Sequence, residues 1–146
     1  MIRVTDIPFV KKIGIRETGE NNLELPCDDS VHNHINTVHA GAQFALAETA
    51  SGAHLLALFP DLEADVLPVL KDSRIRYRNT TSRAITAYPS VPDGAAEIFL
   101  KHYRRKGRAL LTIQVIVRDD TGLLICESSF NWFIKRLTPS AVNPFR

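Results

Sequence analysis

Apolar and polar residues alternate with different periods along the chain, and each change of period predicts an element. From Ala40 to about Phe59 no polar face forms. Ala42, Phe44, Ala45, Leu46, Ala47 and Ala50 fall on nearly every side of a helix, the pattern of a buried one, and Pro60 ends it. From about Val69 to Asn79 the period drops to two, with Arg74, Arg76 and Arg78 on one face and Ile75 and Tyr77 on the other. A short strand is predicted at Asn22–Cys27, where Leu23 and Leu25 alternate with polar neighbours, and another at Arg83–Val91, stopped by Pro92-Asp93-Gly94. Ala109–Arg118 is almost continuous in aliphatic and β-branched residues, and Asp119-Asp120-Thr121-Gly122 reads as a hairpin turn. Leu123–Lys135 answers it, with Cys126, Ser128, Phe130, Trp132 and Ile134 on one face. Residues 1–16 predict a short helical or irregular lead-in ending in a strand, residues 61–68 a connector limited by Pro68, and Leu137–Arg146 a surface segment. Residues 95–106 begin apolar, end strongly basic and carry no assignment.

One long buried helix with five or six strands, mostly joined by hairpins, predicts an α+β fold with an antiparallel sheet. At 146 residues and 45% hydrophobic, the chain reads as one domain, 1–146, long enough for a core. No run of about 18 apolar residues exists, so no membrane span is expected. The charged start MIRVTDIPFVKKIG lacks the apolar centre of a secretory signal. Cys27 and Cys126 lie far apart and read as two reduced buried thiols, so a cytoplasmic location is expected. A net charge of +2 is too small to argue for a nucleic-acid partner. A single sheet packed on one helix leaves edge strands exposed. A second copy would cover them, which predicts a homodimer and leaves a dimer of dimers open.

The chemistry concentrates where the polar loop meets the buried helix. His32, His34 and His39 fall within eight residues, and a single carboxylate, Glu48, sits inside the apolar segment. Burying an unpaired charge is expensive, so an acid there points to chemistry. The first N–H groups of a helix carry partial positive charge and bind oxyanions, and the small residues Ala40 and Gly41 stand where this helix starts. Glu48 lies about 12 Å further along at 1.5 Å per residue, so a second copy or the preceding segment must complete the site. No cysteine or further acid stands at a ligand-like spacing from the histidines, and no metal is expected.

These residues carry a resemblance. Asn33-x5-His39-Ala40-Gly41-x6-Glu48-Thr49-Ala50 resembles N-x-x-G-x-x-H-G-G-x-x-x-x-L-A-D/E-x-A, the motif of hotdog-fold acyl-CoA thioesterases, in particular those of the phenylacetate-pathway kind. The resemblance implies an antiparallel sheet of five or six strands wrapped around one long central helix, with the active site at a dimer interface. It implies Glu48 as general base or nucleophile on an acyl thioester and the Ala40 amide, with Gly41 beside it, as oxyanion donor. Asn33 and His39 would orient the reactants. The substrate would be an acyl-CoA or acyl-carrier-protein thioester; no cofactor is expected, because coenzyme A arrives as part of the substrate. Arg74, Arg76 and Arg78, or else Arg105 and Lys106 with Arg104 and Arg108, are candidate phosphate contacts, since guanidinium forks suit phosphate oxygens. Asn36 stands where glycine is common and tolerates left-handed angles. Ala40 replaces the first of two glycines. Gly52 stands where some members carry a hydroxyl that holds the attacking water, with Ser51 next to it as a substitute. A non-catalytic acyl-CoA-binding protein and a hydroxyacyl-thioester dehydratase are the alternatives on the same fold.

Overall fold

A computed structural model describes residues 3–62 and 66–137. The tail expected at the surface lies, beyond Leu137, outside the described residues. The chain opens with a single 3-10 turn and α1 (Pro8–Ile13), whose proline suits the first helical position and whose stop is Gly14 at φ +88°. Strands β1 (Arg16–Glu17) and β2 (Leu23–Leu25) follow, so the short lead-in ends in a strand as expected. The long helix α2 spans Ala40–Leu58, within a residue of the range expected from its apolar surface and Pro60. After it come β3 (Val66–Tyr77), β4 (Ile85–Ser90), α3 (Ala95–Lys106), β5 (Arg108–Asp119) and β6 (Leu124–Arg136).

The six strands form one antiparallel sheet in the order β1-β2-β4-β5-β6-β3. Helix α2 lies across β2, β4, β5 and β6. That wrapped-helix architecture is the hotdog fold. Along β5 every second residue is buried, and Leu111, Ile113, Val115 and Val117 pair with Trp132, Phe130, Ser128 and Cys126 of β6. The expected inward face of the last strand is therefore the observed one. These side chains meet Leu46, Ala47, Ala50 and Leu55 of α2 in the core. Fully burying a Leu, Ile or Phe contributes roughly 1.5–3 kcal/mol, so this layer outweighs any local propensity. Cys126 lies within it as a free thiol that burial pushes up to about 12, while Cys27 is free and only partly buried.

One expectation needs correction, and one unassigned stretch gains its element. The connector assigned to residues 61–68 gives way to strand earlier, because β3 starts at Val66 and runs through Pro68. An edge strand tolerates a proline, which has no N–H to donate, and β3 is the edge beyond β6. The unassigned stretch 95–106 is helix α3, bounded by Gly94 at φ +81° and Gly107 at φ +68°. Its Phe99 and Tyr103, one turn apart, are buried, and Phe99 packs on Phe59 just after α2 with ring centroids 4.6 Å apart. A register shift between Leu70 and Asp72 sets Arg74 and Arg76 on the outer face and Ile75 and Tyr77 inward, the alternation read from the sequence. Arg78 continues the outer set and pairs with Glu127 at 2.5 Å.

Candidate active site

The loop before α2 is held by its own side chains. Asn33 Oδ1 accepts from the amides of Ile35 and Thr37, both at 3.0 Å, and its Nδ2 donates to Thr37 Oγ1 at 2.8 Å. The turn closes through Asn36 at φ +60°, a left-handed angle that asparagine tolerates. Val38 N donates to Thr81 O and His39 N to Val31 O, which ties the loop to the β3–β4 connection. Asn33 thus shapes the loop with its whole side chain.

His39 caps α2. Its Nδ1 accepts from Gly41 N at 2.8 Å, which places the proton of the neutral ring on Nε2. A Cβ at residue 41 would stand 3.1 Å from that nitrogen, which accounts for the glycine. Gly41's amide is therefore committed to His39. The Ala40 amide has no acceptor among the described residues and is the open donor at the helix start. Ala40 is not among the residues at positive φ, so replacing glycine there introduces no strain. His32 sits 3.7 Å from Asp29, and His34 is exposed.

Glu48 lies on α2 two turns further on, half-buried, one turn beyond Phe44, which packs edge-on against Phe130. Its carboxylate has no hydrogen-bond donor and no cation among the described residues, and burial alone holds its pKa above the ordinary 4.5. Ser51, a candidate for substrate binding, is 0% exposed. Its hydroxyl donates to Glu48 O at 2.7 Å and accepts from Trp132 Nε1 at 2.9 Å. Both bonds lie inside the protein and pin Trp132 to the helix, which argues against Ser51 as a substrate contact. At Gly52 a Cβ would stand 3.3 Å from Trp132 Cζ2. The indole ring fills the space that a hydroxyl-bearing side chain would need.

An open cleft of about 430 Å³ lies at the helix start, lined by Asn33, Ala40, Gln43, Tyr77, Arg78 and Asn79 among others. Tyr77 Oη donates to Ala40 O at 3.3 Å at its mouth. Asn33 and the open Ala40 amide share this cleft. Glu48 does not line it. The rise of about 12 Å along the helix keeps the Glu48 carboxylate and the Ala40 amide apart within one chain. Arg105 and Lys106 are exposed on the last turn of α3, where Lys106 joins Arg108, Lys135 and Arg136 around a second open groove of about 530 Å³. Strand β5 carries the chain from Arg108 to Asp119, whose carboxylate meets Thr81, so that groove lies about 36 Å from the Ala40 end at 3.3 Å per residue.

A family profile described as a domain of unknown function, DUF4442, matches residues 5–134. The chain belongs to DUF4442. No functionally curated protein matches this DUF4442 chain significantly. Solved structures do. A Pseudomonas aeruginosa protein of unknown function, described as a probable thioesterase, is 24% identical over 92% of this chain and 91% of its own, with a TM-score of 0.80. A Haemophilus influenzae thioesterase is 19% identical over 95% of this chain and 90% of its own, with a TM-score of 0.69. A Bacillus halodurans protein crystallised with CoA is 21% identical over 86% and 74%, with a TM-score of 0.68. These likenesses establish the fold of the DUF4442 chain. Sequence reasoning missed Gln43, which lines the cleft from an otherwise apolar first turn. A lone uncharged polar residue in that run was the available signal. Nor did it gather Tyr77, Arg78 and Asn79 into one wall, which only the β3–β4 topology brings beside Ala40.

Proposed function

We propose that the protein hydrolyses an acyl thioester carried by coenzyme A or acyl carrier protein, as a homodimer with Glu48 of one subunit facing the Ala40 amide of the other. The observation that carries this reading is the pairing of two groups on one helix that are unspent among the described residues: a half-buried carboxylate without donor or counter-ion, and a free first-turn amide. In the cleft the thioester carbonyl accepts from Ala40 N–H, with His39 and the Asn33 loop fixing that amide. Glu48 takes a proton from water as the water oxygen attacks the carbonyl carbon. The tetrahedral oxyanion is held by the amide, a donor typically worth about 3–4 kcal/mol. The C–S bond then breaks and the leaving thiolate takes the proton back from Glu48. Direct attack by Glu48, giving an anhydride that water opens, uses the same geometry. Desolvation makes the carboxylate a stronger base than an exposed one, provided the pH keeps it ionised. Strand β3, 12 residues long, is an open edge, and the helix does not cover its inward face, which favours pairing with a second copy. Arg105 and Lys106 then contact coenzyme A phosphates from a neighbouring subunit, because within one chain they stand at the far end of the sheet.

Glu48→Gln tests the reading. Acyl-CoA hydrolysis, followed as thiol release, should fall at least about a thousandfold while circular dichroism and sedimentation stay unchanged. Full activity in the folded variant removes the mechanism. One feature favours a second reading, an acyl-CoA-binding protein without turnover: Trp132 occupies the place beside Gly52 where a water-holding hydroxyl would project. Tight acyl-CoA binding by the unmutated protein, with no thiol released across a panel of acyl chains, selects it.

A further inference from the structure

Among the buried side-chain nitrogen and oxygen atoms of the described residues, Gln43 Oε1 alone lacks a hydrogen-bond partner. Gln43 is 4% exposed, and its Nε2 donates to Val38 O at 3.1 Å. That bond fixes which end of the amide is which, since turning it over would set oxygen against oxygen. Leaving an acceptor unmet inside a protein is costly, whereas an apolar side chain of the same size would fill the position without that cost. A donor is missing. Gln43 follows Ala40 by one turn, and both line the cleft that holds the free amide. Around them Asn33, Arg78, Asn79 and Thr80 bring polar groups beside Val38 and Tyr77, a mixed lining that gives the polar carrier arm of a thioester partners.

We propose that Gln43 positions that arm. Its Oε1 accepts from the amide N–H that stands two methylenes beyond the sulfur in both coenzyme A and carrier-protein thioesters, while the Ala40 amide holds the carbonyl. The short arm between those two groups is comparable with the rise of about 4.5 Å from residue 40 to residue 43. The oxygen is closed off in the unliganded chain, and Tyr77 is the wall that gives way. Tyr77 is 48% exposed, and among the described residues its side chain makes one hydrogen bond, at 3.3 Å to Ala40 O, whereas Arg78 is tied to Glu127 and Asn79 to Leu124 O. The consequence is selectivity for thioesters that carry this amide. The inference rests on the thioesterase reading for the carbonyl at Ala40.

Two substrates with one acyl chain test it: hexanoyl N-acetylcysteamine thioester, which has the N–H, and hexanoyl propanethiol thioester, which lacks it. The unmutated protein should prefer the first by about tenfold in kcat/KM. Gln43→Met, similar in length without the acceptor, should lose that preference by slowing only the first substrate. Gln43→Asn, which keeps the amide but draws it back by one methylene, should do the same where the methionine variant folds poorly. Equal rates in the unmutated protein, or an equal fall on both substrates, overturn the proposal; an equal fall marks a trapped water as the missing donor. Calorimetry with the hexanoyl-CoA ketone, in which a methylene replaces sulfur, separates the two readings. If no thioester is cleaved yet the ketone binds about tenfold more weakly to Gln43→Met, the hydrolase reading falls and the positioning role stands. Binding indifferent to Gln43, or no binding, removes the positioning role.

Discussion

Glu48 and Asp119 are two carboxylates in sheltered places with opposite surroundings. Asp119, at the end of β5, is 7% exposed and satisfied. Its Oδ1 accepts from Thr121 Oγ1 at 2.6 Å, Thr121 N at 2.9 Å and Leu123 N at 3.1 Å, and its Oδ2 from Thr81 Oγ1 at 2.9 Å. The Thr121 hydroxyl foremost, with the other donors, holds its pKa below the ordinary 3.8. Glu48, in the middle of α2, has shelter without donors, and its pKa moves the other way. One acid closes the β5–β6 turn and ties it to the β3–β4 connection. The other keeps its lone pairs free. A folded chain can hold an unsatisfied carboxylate only where surrounding packing supports it.

The largest expected effect lies on the Glu48 side of this contrast. Loss of its charge in Glu48→Gln should remove hydrolysis by three orders of magnitude or so with the fold retained. Asp119→Ala should do the reverse. Four donors lose their acceptor, and thermal or denaturant unfolding should report a loss of about 2–3 kcal/mol, with kcat unchanged at temperatures where the variant stays folded. A turn variant that stays as stable as the parent would show that the donors find water, and the contrast would collapse.

How much of this was legible beforehand follows the physics of each element. Helix α2 was readable because an apolar run ending at a proline has few other solutions, and the β5–β6 pair because a nearly continuous aliphatic run and an alternating one flank a DDTG turn. Helix α3 was not, although Phe99 and Tyr103 at helical spacing between Gly94 and Gly107 carried the signal; its basic end masked a narrow apolar stripe. Glu48 stood out as a charge among alanines. Two things were not written in local pattern: that Ser51 turns inward to hold Trp132, and that Gly41's amide is taken by its own cap. Both depend on which face of the helix meets which strand.

Gly52 sharpens the contrast at a smaller scale. Alanine there would gain up to about 1 kcal/mol of helix propensity but push its Cβ to 3.3 Å from Trp132 Cζ2. The indole cannot retreat without giving up its 2.9 Å bond to Ser51. Overpacking of about 1–3 kcal/mol should therefore win, and Gly52→Ala should lose about 1 kcal/mol in denaturant unfolding. A gain in stability would mean that Trp132 moves freely and that room for a hydroxyl exists beside Glu48.

The finest test sets the two acids against pH. Burial raises the folded pKa of Glu48 above its ordinary 4.5, so the native state binds that proton more tightly than the unfolded chain. Its contribution to stability is favourable while it is protonated and is lost as pH rises from about 4.5 through the raised value. Glu48→Gln should therefore be more stable than the parent at pH 7, with the difference closing as pH falls below 4.5. Asp119 has a depressed pKa, so its contribution is present above 3.8 and lost as pH falls through its lower folded value. The deficit of Asp119→Ala should accordingly be largest near neutrality and shrink in acid. The two difference curves thus carry opposite signs at pH 7. If Glu48→Gln were instead less stable at neutral pH, Glu48 would have a stabilising partner, and a carboxylate so engaged could not serve as the free base at the thioester.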